Sequence, residues 1–458
     1  MEIKKEIFKA YDIRGIYPGE VNEDAASELG RAFSEIYIED KVLIGHDART
    51  SSEALAEELM SSIEECGFNP VYIGLVSSDE FYVSCLSKEL PGIMVTASHN
   101  PPEYNGFKML SAEGNSVGKG SGMEELQKKM MSKQYSLPKR DRGNRSRMET
   151  GPDFINTLLK CVPSDTVGPL SVVIDAGNGA LGPCLQRLIP KYENLKVKEL
   201  FWSPDGTFPN RSPDPLKESA QDRLIEEVLK NPGHFGVSFD GDGDRVFVVD
   251  EEGEPVPSDF LGAMLTHYFL SLDPEASVVR DVTVSQVLSE TVSEHEKARI
   301  VTERVGHSFI KRTMKETGAV LGVEKSGHFY FKDMYRADSG VLAMLYLLKY
   351  LSEKKQSLKE AVDPLRKKYF LTGQINLSVK EDPAEILDRV SESYRNESTD
   401  RIDGLSVTSD RWRFVIRSSN TEPVVRLVAE AKSKEDLKAK VDEVIEVIEP
   451  ISVSGYSI

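Results

Sequence analysis

The chain has 458 residues and a formal net charge of −18 at pH 7, with a sequence pI of about 5.1. This acidic balance argues against a general nucleic-acid binder or a protein of anionic membrane surfaces, because both need basic surface. Hydrophobic residues make up 39% of the chain and charged residues 29%, which excludes a disordered chain. At roughly 100–200 residues per domain, the length predicts three or four domains.

The sequence predicts a cytoplasmic protein. Charges interrupt the apolar residues at the N-terminus, which therefore lacks the apolar region of a secretory signal. The most apolar stretches, residues 261–272 and 341–351, are shorter than the ~20 apolar residues that a membrane span needs. The four cysteines are too sparse for a disulfide framework and form no Cys-x-x-Cys pair. We therefore expect a reducing compartment, no membrane partner and no nucleic-acid partner.

The first predicted elements lie in residues 41–76, which have the pattern of a strand, a helix and a second strand. This is a βαβ unit and predicts parallel strands. The helix is expected to begin near Ser51 and Ser52, since serine is a good N-cap. A basic, polar stretch at residues 139–147 has the composition of a linker, and we place the first domain boundary there.

A second helical stretch, residues 79–90, leads into an apolar strand at residues 93–95. This strand is followed by residues 96–101 (TASHNP), which we call the serine loop. Loops at the carboxyl ends of strands are where α/β sheets place their ligand sites. The serine loop is therefore a candidate functional segment.

The α/β pattern then restarts with a strand at residues 170–174 and a glycine-rich turn at residues 175–179 (DAGNG). It ends in a predicted hairpin of residues 235–239 and 246–250. Between these strands lie residues 240–245 (DGDGDR), which we call the acidic loop. A second α/β domain is predicted here.

A third α/β unit is predicted for residues 257–368, with strands near residues 278–279, 300–301 and 320–321 between helical stretches. The remaining chain has a different order of elements: a strand, a helix, three strands and a final helix. This order predicts a small α+β domain.

The acidic loop has the composition of a metal site. Asp240, Asp242 and Asp244 alternate with glycines, so three carboxylates can converge on one hard cation. A calcium-binding EF-hand loop is one alternative, because Glu251 occupies its twelfth position, although Arg245 stands where that loop needs glycine. A solvated acidic turn is the other alternative.

The serine loop contains a candidate nucleophile, Ser98, and a neighbouring base, His99. Adjacent residues of an extended strand point to opposite faces, so we expect the two side chains to diverge. An ordinary loop serine is the alternative interpretation. Lys108 follows after a Pro-Pro pair and an Asn-Gly turn that can fold the chain back on itself.

Two further loops carry clusters of polar groups. Residues 417–423 (RSSNTEP), the phosphate loop, offer a guanidinium, hydroxyls and turn N–H groups that can hold a phosphate. Residues 322–328 (GVEKSGH), the sugar loop, follow an apolar strand and offer alternating polar groups that suit sugar hydroxyls. Ordinary turns between strands are the alternative for both.

In this order, the motifs resemble the α-D-phosphohexomutase superfamily, specifically its phosphomannomutase/phosphoglucomutase branch. The motifs are residues 8–15 (FKAYDIRG), the serine loop, the acidic loop, the sugar loop and the phosphate loop. The resemblance covers the whole chain and implies four domains around a central cleft. Three would share a mixed α/β sheet fold, and the last would be a smaller α+β domain. We place these domains at residues 1–145, 146–254, 255–368 and 369–458, each with one loop of the site.

The resemblance implies a role for particular residues of this chain. Ser98 would be the phosphoserine and would hold one Mg²⁺ together with Asp240, Asp242 and Asp244. Catalytic roles are implied for Ser98, His99, Lys108, Arg14 and Arg245. Substrate binding is implied for Tyr11, His307, Glu324, Ser326, His328, Arg417, Ser419, Asn420 and Thr421.

The implied activity is interconversion of hexose 1-phosphate and hexose 6-phosphate, for mannose and also for glucose. The phosphoryl group would pass through Ser98 and a hexose 1,6-bisphosphate, which would also act as activator. Phosphoglucosamine mutase, a metal-dependent sugar phosphatase and a non-catalytic phosphosugar-binding protein remain alternatives. Lys325 departs from the methionine usual in dual-specificity members, and Thr283 lies where some members carry a lysine. We expect a monomer or a small homo-oligomer.

Overall fold

A computed structural model describes residues 3–418 and 424–455, and the chain divides into two compact units. The first unit comprises Met1–Pro257 and Ser326–Gln356, and the second comprises Ser258–Lys325 and Ser357–Ile458. The chain therefore passes from one unit to the other at three points. One of these passages, between Lys325 and Ser326, lies inside the sugar loop.

The first unit begins with a six-stranded sheet. Its strands are β1 (Ile13–Ile16), β2 (Lys41–His46), β3 (Asn69–Leu75), β4 (Gly92–Val95), β5 (Tyr104–Leu110) and β6 (Ser146–Arg147). Its helices are α1 (Glu23–Tyr37), α2 (Ser52–Glu65), α3 (Ser78–Lys88) and α4 (Met123–Ser132). The strand order is β1-β5-β4-β2-β3-β6, and the first sheet extends past the boundary predicted at residue 145.

The predicted βαβ unit is confirmed, since β2 pairs in parallel with β3 and with β4. The sheet as a whole is mixed, because β5 returns antiparallel to β4 after the serine loop. Helix α2 begins at Ser52, but Ser51 makes no side-chain capping bond. The Ser52 hydroxyl instead donates to Asp47, at the carboxyl end of β2.

A second sheet follows in the first unit. Its strands are β7 (Leu170–Asp175), β8 (Leu195–Leu200), β9 (Phe235–Phe239), β10 (Val246–Val249) and β11 (Pro255–Val256), in the order β11-β10-β9-β7-β8. Its helices are α5 (Gly151–Cys161), α6 (Gly182–Leu188) and α7 (Asp222–Lys230). The predicted hairpin is confirmed, because β9 and β10 pair antiparallel around the acidic loop. Strands rather than helices flank this loop, which excludes the EF-hand alternative.

The second unit opens with a parallel sheet. Its strands are β12 (Ser277–Asp281), β13 (Arg299–Glu303) and β14 (Leu321–Val323), with helices α8 (Ser258–Leu272), α9 (Val287–Ser293) and α10 (His307–Thr317). Strand β12 pairs in parallel with β13 and β14, as the predicted α/β pattern requires. Helix α8 is apolar around most of its circumference and is correspondingly buried over most of its length.

The chain then returns to the first unit. It forms the antiparallel strands β15 (Phe329–Phe331) and β16 (Ala337–Asp338) and the long helix α11 (Gly340–Lys354). The Ser339 hydroxyl caps α11 by accepting from the N–H of Leu342. Eleven of the fifteen residues of α11 are buried, so this helix is part of the core of the first unit.

The second unit ends with an α+β domain. Its strands are β17 (Phe370–Leu371), β18 (Ile375–Ser378), β19 (Ser398–Asp400), β20 (Leu405–Thr408), β21 (Trp412–Ser418), β22 (Val424–Ala431) and β23 (Ser452–Ser454). Its helices are α12 (Leu358–Lys368), α13 (Pro383–Ser393) and α14 (Lys434–Ile448). The pairs along β19-β20-β21-β22-β18-β23 are antiparallel, and β17 also pairs with β22.

The predicted fold class is confirmed: three sheets with parallel strands are followed by a C-terminal domain built on an antiparallel sheet. Single-turn 3₁₀ helices occur at Lys5–Ile7, Ser164–Thr166, Ile189–Lys191 and Lys332–Met334. In the part of the chain that the structure describes, helices long and apolar enough to cross a membrane are absent.

Candidate active site

The serine loop leaves β4 and turns back into β5, and Ser98 lies at its start. Ser98 is 2% exposed and has a φ of 48°, in the left-handed region. The expectation that Ser98 and His99 point apart is wrong, because the chain is no longer extended here and Ser98 Oγ lies 3.2 Å from His99 Nδ1. The same hydroxyl donates to Asp240 Oδ2 at 2.9 Å. A hydroxyl, an imidazole and a carboxylate therefore meet at Ser98.

The acidic loop brings together three buried carboxylates. Asp240, Asp242 and Asp244 each offer an oxygen, and these atoms lie within 4.8 Å of one another. Burial, together with the charges of Asp244 and Asp242, raises the pKa of Asp240 well above its ordinary value. Asp242 Oδ1 accepts no hydrogen bond from the described residues. Crowded oxygen donors of this kind suit a hard divalent cation, so the residues fit the predicted Mg²⁺.

Lys108 on β5 lies beside this cluster, because β5 folds back along β4 as the sequence predicted. Its Nζ is 2.7 Å from Asp242 Oδ2 and 2.5 Å from Asp244 Oδ2. Burial acts to lower the pKa of Lys108, but the attraction of Asp242 and Asp244 outweighs it and holds the pKa well above its ordinary value. Lys108 is therefore a fixed positive charge at the carboxylates.

Arg245 connects the acidic loop with the end of the sugar loop. Its Nε donates to His328 Nε2 at 3.2 Å, and His328 Nδ1 is 2.8 Å from Ser326 Oγ. His328 Nε2 is also 3.4 Å from Asp244 Oδ1. Ser326 and His328 thus belong to the same constellation as the carboxylates.

Arg14 on β1 contacts the serine loop through its Nη1, which donates to Asn100 Oδ1 at 2.8 Å. It also forms an ion pair with Asp12. Burial, aided by the positive charges of Arg245 and Arg14, lowers the pKa of His99 well below its ordinary value. These surroundings therefore favour the neutral form of the His99 imidazole.

The other predicted site residues are described within their own units, except for three that the structure does not describe. Tyr11 is half-buried in the first unit, just before β1. In the second unit, Glu324 is 2% exposed and its Oε1 accepts from the N–H of Gly306, next to His307 at the start of α10. Arg417 on β21 pairs with Asp403 at 2.8 Å. Ser419, Asn420 and Thr421 lie outside the described residues.

Lys325 has a structural partner in its own unit. Its Nζ donates to the buried Asp259 Oδ2 at 2.9 Å, and its N–H donates to Asp281 Oδ2 at 3.0 Å. The ammonium that replaces the usual methionine is thus paired with a carboxylate of α8. The neighbouring Thr283 is also tied to Asp281, through its N–H at 2.5 Å.

A buried ion pair that was not predicted from the sequence lies beneath the serine loop. Arg49 and Asp47 are 3% and 1% exposed, and Arg49 Nε donates to Asp47 Oδ2 at 3.1 Å. The available signal was an Asp-Ala-Arg sequence directly after the predicted strand that became β2. This signal is weak, because it does not reveal that the arginine reaches residues about fifty positions further along.

A second missed pair lies beneath the acidic loop. Arg211 Nε donates to Asp175 Oδ2 at 2.6 Å, and its Nη2 donates to the carbonyl of Phe239 at 2.7 Å. The N–H of Ala180 donates to the carbonyl of Gly241 at 3.0 Å. The glycine-rich turn noted in the sequence therefore supports the backbone of the acidic loop.

Comparisons with known proteins match every domain of the chain. Models of the Phosphoglucomutase/phosphomannomutase alpha/beta/alpha domains I, II and III match residues 5–135, 152–253 and 257–369, and that of the C-terminal domain matches residues 375–447. The chain is 34% identical over 437 residues to the phosphomannomutase of Salmonella typhimurium, covering 94% of this chain and 95% of that protein.

Two further similarities cover nearly the whole length. The phosphomannomutase of Methanocaldococcus jannaschii is 33% identical over 457 residues, which cover 98% of each chain. A crystal structure of a phosphoglucomutase/phosphomannomutase family protein from Burkholderia thailandensis is similar with a TM-score of 0.88 and 30% identity. That similarity covers 98% of this chain and 99% of the other.

Four matched domains in this order define a phosphotransferase of the mutase type. The chain belongs to the phosphoglucomutase/phosphomannomutase family. The resemblance predicted from the sequence motifs is therefore confirmed, and so is the prediction of a phosphohexomutase. The non-catalytic alternative does not agree with these findings.

Proposed function

We propose that this protein interconverts mannose 1-phosphate and mannose 6-phosphate, that it also accepts the glucose phosphates, and that Ser98 carries the phosphoryl group. The observation that carries this proposal is the bond from Ser98 Oγ to Asp240, inside a cluster of three buried carboxylates. The names of the two phosphomannomutase relatives support mannose as the principal sugar. The free cysteines agree with action in a reducing cytoplasm.

Asp240, Asp242, Asp244 and phosphorylated Ser98 would hold one Mg²⁺, which when bound withdraws negative charge from a phosphoryl group. Lys108 and Arg245 place fixed positive charges at the same carboxylates. Such preorganised charges stabilise the oxygens of a transferring phosphoryl group without reorganising during the reaction. Arg14 acts on the same loop through Asn100.

Ser98 loses its hydroxyl proton each time it receives a phosphoryl group. Two groups can take this proton: Asp240, whose Oδ2 accepts the hydroxyl hydrogen bond at 2.9 Å, and His99, whose Nδ1 lies 3.2 Å from Ser98 Oγ. Lys108 is less suited to this role because its raised pKa keeps it protonated. His328 is engaged with Arg245 and Ser326.

One serine that serves both ends of a sugar requires the substrate to turn round. In the proposed cycle, phospho-Ser98 donates to the free hydroxyl of a hexose monophosphate and gives hexose 1,6-bisphosphate. The bisphosphate reverses and returns its other phosphate to Ser98, so added bisphosphate would also activate unphosphorylated enzyme. We assign substrate binding to Tyr11, His307, Glu324, Ser326, His328, Arg417, Ser419, Asn420 and Thr421.

The sugar preference follows from where the substrate is held. Mannose and glucose phosphates differ only at C2. If Glu324 and Ser326 bind the 3- and 4-hydroxyls, as the family resemblance implies, C2 is barely sensed and both sugars react. Because Lys325 is paired with Asp259, its departure from methionine leaves this expectation unchanged.

The test is ³¹P NMR of the protein with Mg²⁺, trace glucose 1,6-bisphosphate, and mannose 1-phosphate or glucose 1-phosphate in parallel. We expect both 6-phosphates to form, and Ser98→Ala to abolish their formation. Ser84→Ala is the matched control, since Ser84 is a buried serine whose hydroxyl bonds only within α3 among the described contacts. Activity that survives in Ser98→Ala would reject the proposed phosphoryl carrier.

The same spectra separate the alternatives. Inorganic phosphate as sole product would indicate a phosphatase. Conversion of glucosamine 6-phosphate, with both hexose phosphates unchanged, would indicate a phosphoglucosamine mutase. Removal of Mg²⁺ by EDTA is expected to stop conversion, and added Mg²⁺ should restore it.

A further inference from the structure

Arg49 lies beneath the serine loop with every N–H group of its guanidinium in use. Its Nη2 donates to the carbonyl oxygens of Ser98 and Asn100, each at 2.7 Å. Its Nη1 donates to those of Pro101 at 2.7 Å and Tyr104 at 3.0 Å. The remaining N–H, on Nε, donates to Asp47. One side chain therefore donates hydrogen bonds to four main-chain carbonyls of the segment that contains Ser98.

Asp47, the partner of Arg49, is connected to the N–H of Ser98 through Thr96. Its Oδ1 accepts from the N–H of Arg49 at 3.0 Å and from Ser52 Oγ at 2.6 Å. Its Oδ2 accepts from Thr96 Oγ1 at 2.8 Å, and Thr96 Oγ1 accepts in turn from the N–H of Ser98 at 2.8 Å. The carbonyl and the N–H of Ser98 are thus both connected to the Asp47–Arg49 pair.

This arrangement accounts for the backbone conformation of Ser98. A residue with a Cβ rarely adopts a φ near +48°, and such a conformation persists only where the surroundings hold it. Burying two charges costs free energy, because both must lose their hydration. A buried ion pair at this position therefore indicates a specific structural role. The planar guanidinium of arginine has five N–H donors that can reach four carbonyls and a carboxylate, whereas a lysine has three donors on a single nitrogen.

We propose that Asp47 and Arg49 are a positioning pair for phosphoryl transfer. Arg49 holds the peptide of Ser98 in the left-handed turn that directs its Oγ to Asp240, and Asp47 fixes Arg49 in place. This proposal rests on the proposed role of Ser98 as phosphoryl carrier. Because the pair acts on the position of Ser98, its loss should lower kcat and leave KM nearly unchanged.

The test compares Arg49→Lys with wild type in two measurements on the full chain. One is the rate at which glucose 1,6-bisphosphate phosphorylates Ser98, followed by quench and intact mass. The other is steady-state kcat and KM. We expect the phosphorylation rate and kcat to fall roughly 10²-fold, as small misplacements of reacting groups do, with KM within about threefold. The matched control is Arg142→Lys, at an exposed arginine paired with Glu64 in the same unit, which should behave as wild type.

Asp47→Asn provides an independent second variant, because it keeps the side-chain shape and removes the charge that fixes Arg49. We expect the same pattern with a smaller loss, roughly tenfold in kcat. Effects of residues that act as one unit are not additive, so Arg49→Lys combined with Asp47→Asn should lose less than the product of the single effects. If Arg49→Lys does not fold, the Asp47→Asn result decides.

Two outcomes would overturn the proposal: phosphorylation of Ser98 within threefold of the wild-type rate in a folded variant, or a loss confined to KM. These outcomes differ from failure of the proposed function, in which wild type forms no phosphoserine and Ser98→Ala stays active. A wild type that phosphorylates Ser98 beside an unaffected Arg49→Lys would reject the positioning pair alone.

Discussion

At the residue scale, Gly241 shows how closely the loops of the site approach one another. A Cβ at this position would lie 2.6 Å from the carbonyl oxygen of Ser98, closer than atoms can approach. A Cβ on Gly179 would in turn lie 2.5 Å from the carbonyl oxygen of Gly241. Three backbone segments therefore stack without room for side chains, and glycine is needed for close approach.

Gly241→Ala should push the serine loop away from the carboxylates. We expect kcat to fall roughly 10²-fold and the Mg²⁺ concentration for half-maximal activity to rise, because Ser98 and Asp240 would no longer face one site. Activity titrated with Mg²⁺ measures both effects. The control is Gly19→Ala, where a Cβ would meet no atom within 4 Å. A Gly241→Ala enzyme with the wild-type Mg²⁺ dependence would contradict this prediction.

Site residues that lie within one short motif could be predicted from the sequence. Residues that come together only when distant segments fold could not. The alternation of Asp and Gly at residues 240–245 predicted converging carboxylates, which the hairpin turn produces. Arg49 was missed because its partners at Ser98 and Tyr104 come close only when β2, β4 and β5 lie side by side. Lys325 was noted as a departure, but its pairing with Asp259 depends on how β14 packs against α8.

At the scale of single elements, the first turn of α3 contains a buried carboxylic acid, Asp79. Asp79 is 0% exposed and accepts hydrogen bonds from Ser77 Oγ, Ser339 Oγ and the N–H of Glu80. Burial raises the pKa of Asp79 to about 7 in spite of these bonds. The folded state therefore holds a proton on Asp79 more tightly than the unfolded chain does.

The raised pKa of Asp79 determines how the stability of the folded protein changes with pH. The stabilisation from protonated Asp79 is complete below the ordinary pKa of 3.8 and is lost as the pH rises to about 7. Asp79→Asn stays neutral throughout, so between pH 5 and pH 8 its Tm should gain about 2–4 °C relative to wild type. Asp153→Asn, at an exposed acid of α5, is the control. Parallel Tm profiles of Asp79→Asn and wild type would refute the prediction.

Long elements with a clear hydrophobic period were predictable, and short edge elements were not. The βαβ unit around α2 and the hairpin of β9 and β10 carry their pattern over several residues. Strands β6, β17 and β23 are two or three residues long, which is too short for any period to appear. They are defined by their pairing with β3, β22 and β18, which only the folded chain provides.

At the scale of the whole molecule, the sequence predicted domains from repetition of the α/β pattern, but repetition does not reveal which segments pack together. Residues 326–356 follow the third set of parallel strands in sequence, yet they belong to the first unit. Several contacts hold them there. Ser339 bonds to Asp79, the N–H of Gly340 donates to the carbonyl of Gly243, and the N–H of Gly168 donates to Ser352.

A fragment of residues 1–257 should therefore be unstable, since it lacks β15, β16 and the buried helix α11. We expect it to bind a hydrophobic dye and to lack a cooperative thermal transition, because the apolar surface that α11 covers is exposed. Joining residues 326–356 to this fragment through a flexible Gly-Ser linker should restore the transition. Scanning calorimetry of the two fragments checks this, and equal melting of both would show that α11 is dispensable.

On the ribosome, residue 257 is made about 100 residues before Gln356, the last residue of the first unit. At roughly 5–20 residues per second, the interval lasts about 5–20 s. Throughout it, the serine and acidic loops have been synthesised while the helix that completes their unit has not. We therefore expect the nascent chain to be most open to aggregation in this interval, because the apolar surface that α11 covers is still exposed.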